Sequence, residues 1–203
     1  MDQVWIKSAR LTGDRVLLRP VGPGDVQACF DFVHDQNEIT DWLVWDGPAT
    51  IDDIMPWYLT WPLGAPARGC DYHFAIVDRE DGQFSGAISL RYYDHSFRGD
   101  VGYWMSVDKW GRGLASEALG LVTWLAFEHT AAQLVYAECF DGNERSMNML
   151  KRWDFELDPR GEARIQKAGK DVIAHFLSLS RRRWKELGGR GVPKEAQVEP
   201  GGA

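Results

Sequence analysis

The sequence has little cysteine, no long apolar run and no excess of positive charge, and each shortage closes off a class of protein. Three cysteines, Cys29, Cys70 and Cys139, stand at scattered spacings with no CxxC and no nearby His pair. Neither a disulfide framework nor a zinc site is indicated, and no metal is expected. No stretch approaches the roughly 18 uncharged apolar residues of a membrane span, and the opening MDQVWIKSARLTGD lacks the apolar core of a secretory leader. A cytoplasmic chain with no membrane partner is the expectation. A net charge of −7 opposes nucleic-acid binding, which draws its affinity from Lys and Arg neutralising phosphates. The five histidines show neither metal spacing nor a Ser or Cys partner motif. Acidity instead suits a cationic partner such as an amine.

A length of 203 residues with 44% apolar content supports one core and one domain. Arg15–Pro20 reads as a β run that Pro20 stops, and Asp25 is placed to cap a helix to about His34, with Val26, Cys29, Phe30 and Val33 on one stripe. A second helix is expected from Thr50 until Pro62, Gly64 and Pro66. Tyr72–Asp78, Phe84–Tyr92 and Asp100–Val107 form a meander, its first turn set by Asp81-Gly82. Leu114, Ala118, Leu121, Val122 and Leu125 then share one face of a helix. A strand Leu134–Phe140, a helix Asn143–Arg152 and β segments at Phe155–Ile165 and Val172–Leu179 complete the order. The basic run Arg181–Lys185 reads as the solvated end of the last element. From Gly188 the chain is Gly- and Pro-rich without apolar periodicity and is expected to be a disordered tail over 188–203.

The chemistry concentrates in Asp108-Lys-Trp-Gly-Arg-Gly-Leu-Ala-Ser116, between a strand and a helix. Glycines let backbone approach a ligand, and the first amides of the helix have no internal partner, so the segment favours an anion such as phosphate. Arg112 is placed to add a charge-assisted contact. A nucleotide P-loop is excluded, because Leu114-Ala115 follows Gly113 where Lys-Ser or Lys-Thr is required. Gly111-Arg-Gly-Leu-Ala-Ser116 comes near a dinucleotide fingerprint, with Glu138 where a ribose-binding acid would stand. That fold normally opens with its motif strand, however, whereas three meander strands precede this one.

Trp110-Gly-Arg-Gly-Leu-Ala115 with Ser116-Glu-Ala118 resembles the acetyl-CoA pyrophosphate loop of the Gcn5-related N-acetyltransferase (GNAT) superfamily. Gly102-Tyr103-Trp104 and the block Asn143-Glu-Arg-Ser146, Leu150-Lys151 and Phe155 are similar to the ribosomal-protein N-terminal (Rim-type) acetyltransferase branch. Asp154 stands where the superfamily often has Gly. The resemblance covers about Leu11 to Trp184. It implies an α/β (α+β) GNAT domain over 11–185, behind an N-terminal extension over 1–10. The implied sheet is twisted, mostly antiparallel and six- to seven-stranded, flanked by helices, with its central strands splayed.

The same resemblance implies roles. Acetyl-CoA would be the cosubstrate and a peptide N-terminus or a small amine the acceptor, with transfer by direct attack and a homodimer frequent in the superfamily. Backbone groups of Met105, Ser106 and Val107 would hold the acyl-pantetheine arm, and the amides of Trp110, Gly111, Arg112, Gly113, Leu114, Ala115 and Ser116 the phosphates. The N–H of Val107 is the expected oxyanion donor. Alkylamines near pKa 10.4 need a base at neutral pH, and Glu138 is the first choice, ahead of Asp100 and Glu162. Ser146 matches a serine proposed to protonate the leaving thiolate. Asn143 would cap its helix and approach the arm. Trp42, Trp45, Trp57 and Trp61 cluster where the acceptor groove lies in this superfamily. A non-catalytic acyl-CoA-binding module and a dinucleotide-binding protein stay open as alternatives.

Overall fold

The strands build a sheet that is covered by apolar side chains on both faces. The computed structural model describes residues 6–60, 70–93 and 97–200. In chain order its elements are β1 (Ile6–Thr12), β2 (Val16–Pro20), α1 (Val26–Val33), α2 (Asn37–Thr40), α3 (Met55–Thr60), β3 (Cys70–Asp78), β4 (Phe84–Tyr93) and β5 (Arg98–Met105). There follow α4 (Leu114–His129), β6 (Leu134–Phe140), α5 (Glu144–Arg152), β7 (Glu156–Lys167), β8 (Lys170–Ser180), α6 (Arg181–Glu186) and β9 (Glu195–Pro200). The nine strands form one sheet in the order β7-β8-β6-β5-β4-β3-β2-β1-β9. Its register pairs are antiparallel except β5 with β6, which run parallel.

Two layers of core follow from the period of two along each strand. On β3, Phe74 and Ile76 face one side and Ala75 and Val77 the other. The first side receives α4, whose Leu114, Ala118, Leu121, Val122 and Leu125 are buried against the sheet. Each large apolar side chain so covered contributes roughly 1.5–3 kcal/mol. Val26, Cys29 and Val33 of α1, Ile39 of α2 and Tyr58 of α3 cover the second side.

Four expectations need correction. Nine strands replace six or seven, because the expected extension supplies most of β1 and the expected tail supplies β9. These two pair antiparallel, with Ala9 opposite Val198 and Leu11 opposite Ala196. The glycines ahead of β9 make turns: Gly188, Gly189 and Gly191 all have positive φ, and Trp184 Nε1 donates to the Arg190 carbonyl at 2.9 Å. The basic run Arg181–Lys185 is a helix, α6, capped by Ser180, with Trp184 buried. Asp25 does not cap α1 with its side chain; it pairs with Arg19 and accepts the Gly22 N–H at the start of the preceding 3-10 turn. The meander's third strand ends at Met105, and Val107–Lys109 is a single 3-10 turn. The expected close of the second helix at Pro62, Gly64 and Pro66 lies outside the described residues.

Candidate active site

β5 and β6 pair only at Arg98 with Leu134, Gly99 with Val135 and Asp100 with Tyr136. Beyond that point the strands part, and a cavity of about 390 Å³ sits between them, walled by Val101–Met105 on one side and by Glu138 and Phe140 on the other. Strand edges that separate keep backbone donors and acceptors without a ladder partner, which an extended ligand can satisfy.

One end of this cavity is the start of α4. Gly111 and Gly113 hold φ of +76° and +79°, and the first helical bond runs from Glu117 N–H to the Gly113 carbonyl. The amides of Leu114, Ala115 and Ser116 therefore have no acceptor within the helix, and all three residues line the cavity. A Cβ at 113 would also stand 2.9 Å from Arg15 Nη1, so that guanidinium would have to shift.

Charge in this loop is arranged differently from the expectation. Arg112 does not line the cavity; its guanidinium pairs with Asp78 at 2.7 Å and with Glu80. Lys109 is buried and bonded to Asp78 at 3.1 Å and to Asp81. Both cations thus tie the loop to the β3–β4 hairpin. Arg145 and Arg152 of α5 do line the cavity, as Arg91 and Lys109 do, and the Arg145 guanidinium lies 3.7 Å from the centroid of the Trp110 ring. Neither arginine stands out in the sequence, although a spacing of seven places them on one helix face.

The neighbouring backbone is partly occupied. Trp110 Nε1 donates to the Met105 carbonyl at 3.1 Å, and the Ser106 N–H donates to the Ser85 carbonyl at 2.9 Å. Met105 lines the cavity, but Ser106 and Val107 do not. Val107 opens the 3-10 turn and packs on the second core cluster. The expected oxyanion donor is therefore not in the cavity wall.

Glu138, Ser146 and Asn143 are brought together in it. Glu138 Oε1 is buried with no hydrogen-bond partner among the described residues. Burial pushes its carboxyl above the usual range, and the negative Asp100 adds to this while Arg91 and Arg160 oppose it. Asp100, also in the wall, is paired with Arg91 and is raised chiefly by burial. Glu162 lies elsewhere: it is exposed and 3.2 Å from His175 Nδ1. Asn143 Oδ1 accepts the Ser146 N–H at 3.1 Å, the expected cap. Ser146 Oγ stands 2.7 Å from the hydroxyl of Tyr103, whose phenol burial drives upward. Tyr103, visible in the sequence only within Gly102-Tyr103-Trp104, thus belongs to the chemistry of the site.

Of the three expected acceptor tryptophans among the described residues, Trp42 alone is placed in the cavity wall, with Ile39, Leu43 and Val44 beside it. Trp45 and Trp57 pack edge to face, 5.6 Å between centroids, outside it. Trp61 lies outside the described residues. Lys167 from the end of β7 donates to the Trp45 carbonyl at 3.1 Å and to Asp46 at 2.8 Å, which ties the segment after Trp42 to that strand. Among the described residues no group of three or more His, Cys, Asp or Glu is placed to hold a metal, and no helix is long and apolar enough to cross a membrane.

A splayed sheet with helix amides at one end of the gap and a half-buried acid in its wall is the arrangement that the sequence resemblance implies. A family model described as the acetyltransferase (GNAT) domain matches residues 15–156, and the chain belongs to that family. Among solved structures, a GCN5-related N-acetyltransferase from Brucella melitensis is 20% identical, with 90% of this chain and 86% of that one covered and a TM-score of 0.73. A GNAT-family acetyltransferase from Bacillus anthracis is 16% identical, with 85% and 99% covered and a TM-score of 0.73. The ribosomal-protein-S5-alanine acetyltransferase from Vibrio fischeri is 17% identical, with 86% and 98% covered and a TM-score of 0.71. At these identities the likeness is one of fold.

Proposed function

We propose that this chain transfers an acetyl group from acetyl-CoA to a primary amine by direct attack within a ternary complex. The observation that carries the reading is the half-buried Glu138, whose Oε1 is buried without a hydrogen-bond partner among the described residues, set in the same cavity wall as the free amides of α4. The cavity residues fit the cosubstrate. The amides of Leu114, Ala115 and Ser116 with Arg145 and Arg152 would hold its phosphates, and the unpaired edges of β5 and β6 its extended arm. Bound there, acetyl-CoA supplies an activated thioester.

Glu138 is the proton acceptor. A carboxyl raised by burial is a stronger base than a solvated one, and it takes the proton that the neutral amine sheds as it attacks. The amine forms the new C–N bond as the C–S bond breaks, and Ser146 Oγ gives a proton to the departing sulfur. Tyr103, hydrogen-bonded to that oxygen, holds the serine hydroxyl in place, and the serine regains its proton from solvent once the product leaves. Asn143 fixes Ser146 through its N–H and keeps its amide nitrogen for the arm. Trp42 and its apolar neighbours take the body of the acceptor.

The residues Gly102–Trp104, Trp110–Ala115 and Asn143–Ser146 support placing the chain in the Rim-type branch, which makes a peptide N-terminus one acceptor class beside small amines. Purified protein given acetyl-CoA, N-terminal peptides and small amines, with a thiol-reactive dye reporting free CoA, tests the reading. CoA release that depends on an amine is expected. Tight CoA binding with no release from any amine would contradict it and favour an acyl-CoA binder without transfer.

A further inference from the structure

On the face of the sheet turned away from α4, strand register draws one line of side chains across four strands. Asp71 stands opposite Arg91, Arg91 opposite Asp100, and Asp100 beside Tyr136. Glu138 is the next residue on that face of β6. Arg160 covers the line, its guanidinium 4.3 Å from the Tyr136 ring and 4.6 Å from the Phe176 ring.

The charges along this line do not cancel. Arg160 Nε is engaged by Asp158 at 2.6 Å, and Arg91 Nη2 is engaged by Asp100. Two atoms are left buried and unpartnered among the described residues: the acceptor Oε1 of Glu138 and the donor Nε of Arg91. Both side chains belong to the wall of the same cavity. Both side chains are partly exposed, but a polar atom buried without its hydrogen bond is costly, so a ligand that satisfies both atoms gains twice.

Such a ligand brings a donor and an acceptor close together. Its donor is the amine that Glu138 deprotonates. Its acceptor has to be an oxygen near that amine, and a carbonyl on the adjacent carbon provides one. A polyamine or plain alkylamine offers only further donors and would set a second cation beside the guanidinium. The ε-amine of an internal lysine fails for the same reason, since no carbonyl lies near it.

We propose that Arg91 selects acceptors of the α-amino carbonyl class, in which the amine and the carbonyl are joined through a single carbon, by donating from Nε to the carbonyl oxygen while the amine faces Glu138. This rests on the transferase reading above and names the acceptor class of that site. Amino-acid amides, peptide N-termini and free amino acids share the chemistry. They differ in the group attached to the far side of the carbonyl: an amide nitrogen, a peptide chain or a carboxylate oxygen.

The test compares kcat/KM for alaninamide, an alanine-led tripeptide and free alanine with that for isopropylamine, each corrected to its neutral-amine fraction by measuring across pH. In the wild type the best α-amino carbonyl acceptor should exceed isopropylamine by roughly 10- to 100-fold, the contribution of one hydrogen bond to a charged group. Which of the three is best distinguishes peptide, amide and free acid. Arg91→Lys keeps a cation against Asp100 but removes the Nε–H, and should bring the ratio to within a few-fold of one. A ratio taken within one variant cancels losses of folded protein, and CoA calorimetry reports whether the cofactor end survives.

A wild-type ratio near one, a preference for isopropylamine, or an unchanged ratio in Arg91→Lys would overturn the assignment. If Arg91→Lys no longer binds CoA, the wild-type ratio decides alone. Absence of transfer to every acceptor would instead overturn the transferase reading, and this assignment with it.

Discussion

The cofactor end and the acceptor end of the cavity share one sheet but are assembled on different principles. The cofactor end is nearly contiguous: Gly111, Gly113 and the amides of Leu114 to Ser116 come from one loop and one helix start. It works through backbone, which is fixed by φ and by the helix itself. The acceptor end is gathered from Trp42, Arg91, Asp100 and Glu138, on the turn after α2 and on three strands, and it works through side-chain charge in a partly buried setting. Substitutions at the first should therefore change CoA affinity, and those at the second should change turnover and acceptor choice.

The largest separation is expected from Glu138→Gln. Removing the base while keeping the shape should lower kcat by roughly 10²–10³-fold, with CoA affinity by calorimetry unchanged. A comparable loss of CoA affinity would erase the distinction between the two ends. Gly113→Val tests the other side. A β-branched residue at a φ of +79°, its Cβ 2.9 Å from Arg15 Nη1, costs on the order of 1–3 kcal/mol in strain. CoA affinity should fall about 10-fold or more. Gly111→Ala, whose Cβ meets nothing within 4 Å, should be milder, because only its φ of +76° is penalised.

Arg145→Ala sharpens the comparison further. Loss of one charge-assisted contact near the phosphates should weaken CoA by roughly 5- to 20-fold and leave acceptor discrimination intact, measured as the ratio of kcat/KM for two amines. Trp42→Ala should have the smallest effect, raising the acceptor KM by about 3- to 10-fold with CoA affinity unmoved. If Trp42→Ala weakened CoA as much as Arg145→Ala does, the aromatic wall would belong to the cofactor end.

The same contrast explains what the sequence discloses. The pyrophosphate loop, α4 and Asn143 with Ser146 are legible because glycine conformation, amphipathic spacing and capping are all local. Arg112 is misread because its partners, Asp78 and Glu80, lie on a hairpin some thirty residues earlier, and local sequence does not say which way a loop arginine turns. Val107 and Ser106 fall outside the wall because β5 stops two residues early and the chain tightens into a 3-10 turn. Arg91 carries no local signal at all; its place beside Asp100 is a matter of register between β4 and β5. The strand β9 is hidden because its pairing with β1 is made by backbone, which polar residues such as Glu195 and Gln197 do not advertise. Trp184 is one apolar residue in a basic run, too little periodicity to mark α6 as packed.

The pH dependence of kcat/KM in the wild type and in Glu138→Gln tests the central claim most directly. A carboxyl raised by burial is protonated, and so idle as a base, at pH values where a solvated carboxylate would already be ionised. Activity on neutral amine should therefore rise with pH through an apparent pKa above the ordinary carboxylate range and then level off. In Glu138→Gln that limb should vanish, leaving a low, flat profile. A wild-type limb that survives the substitution unchanged would show that another group takes the proton and would contradict the account.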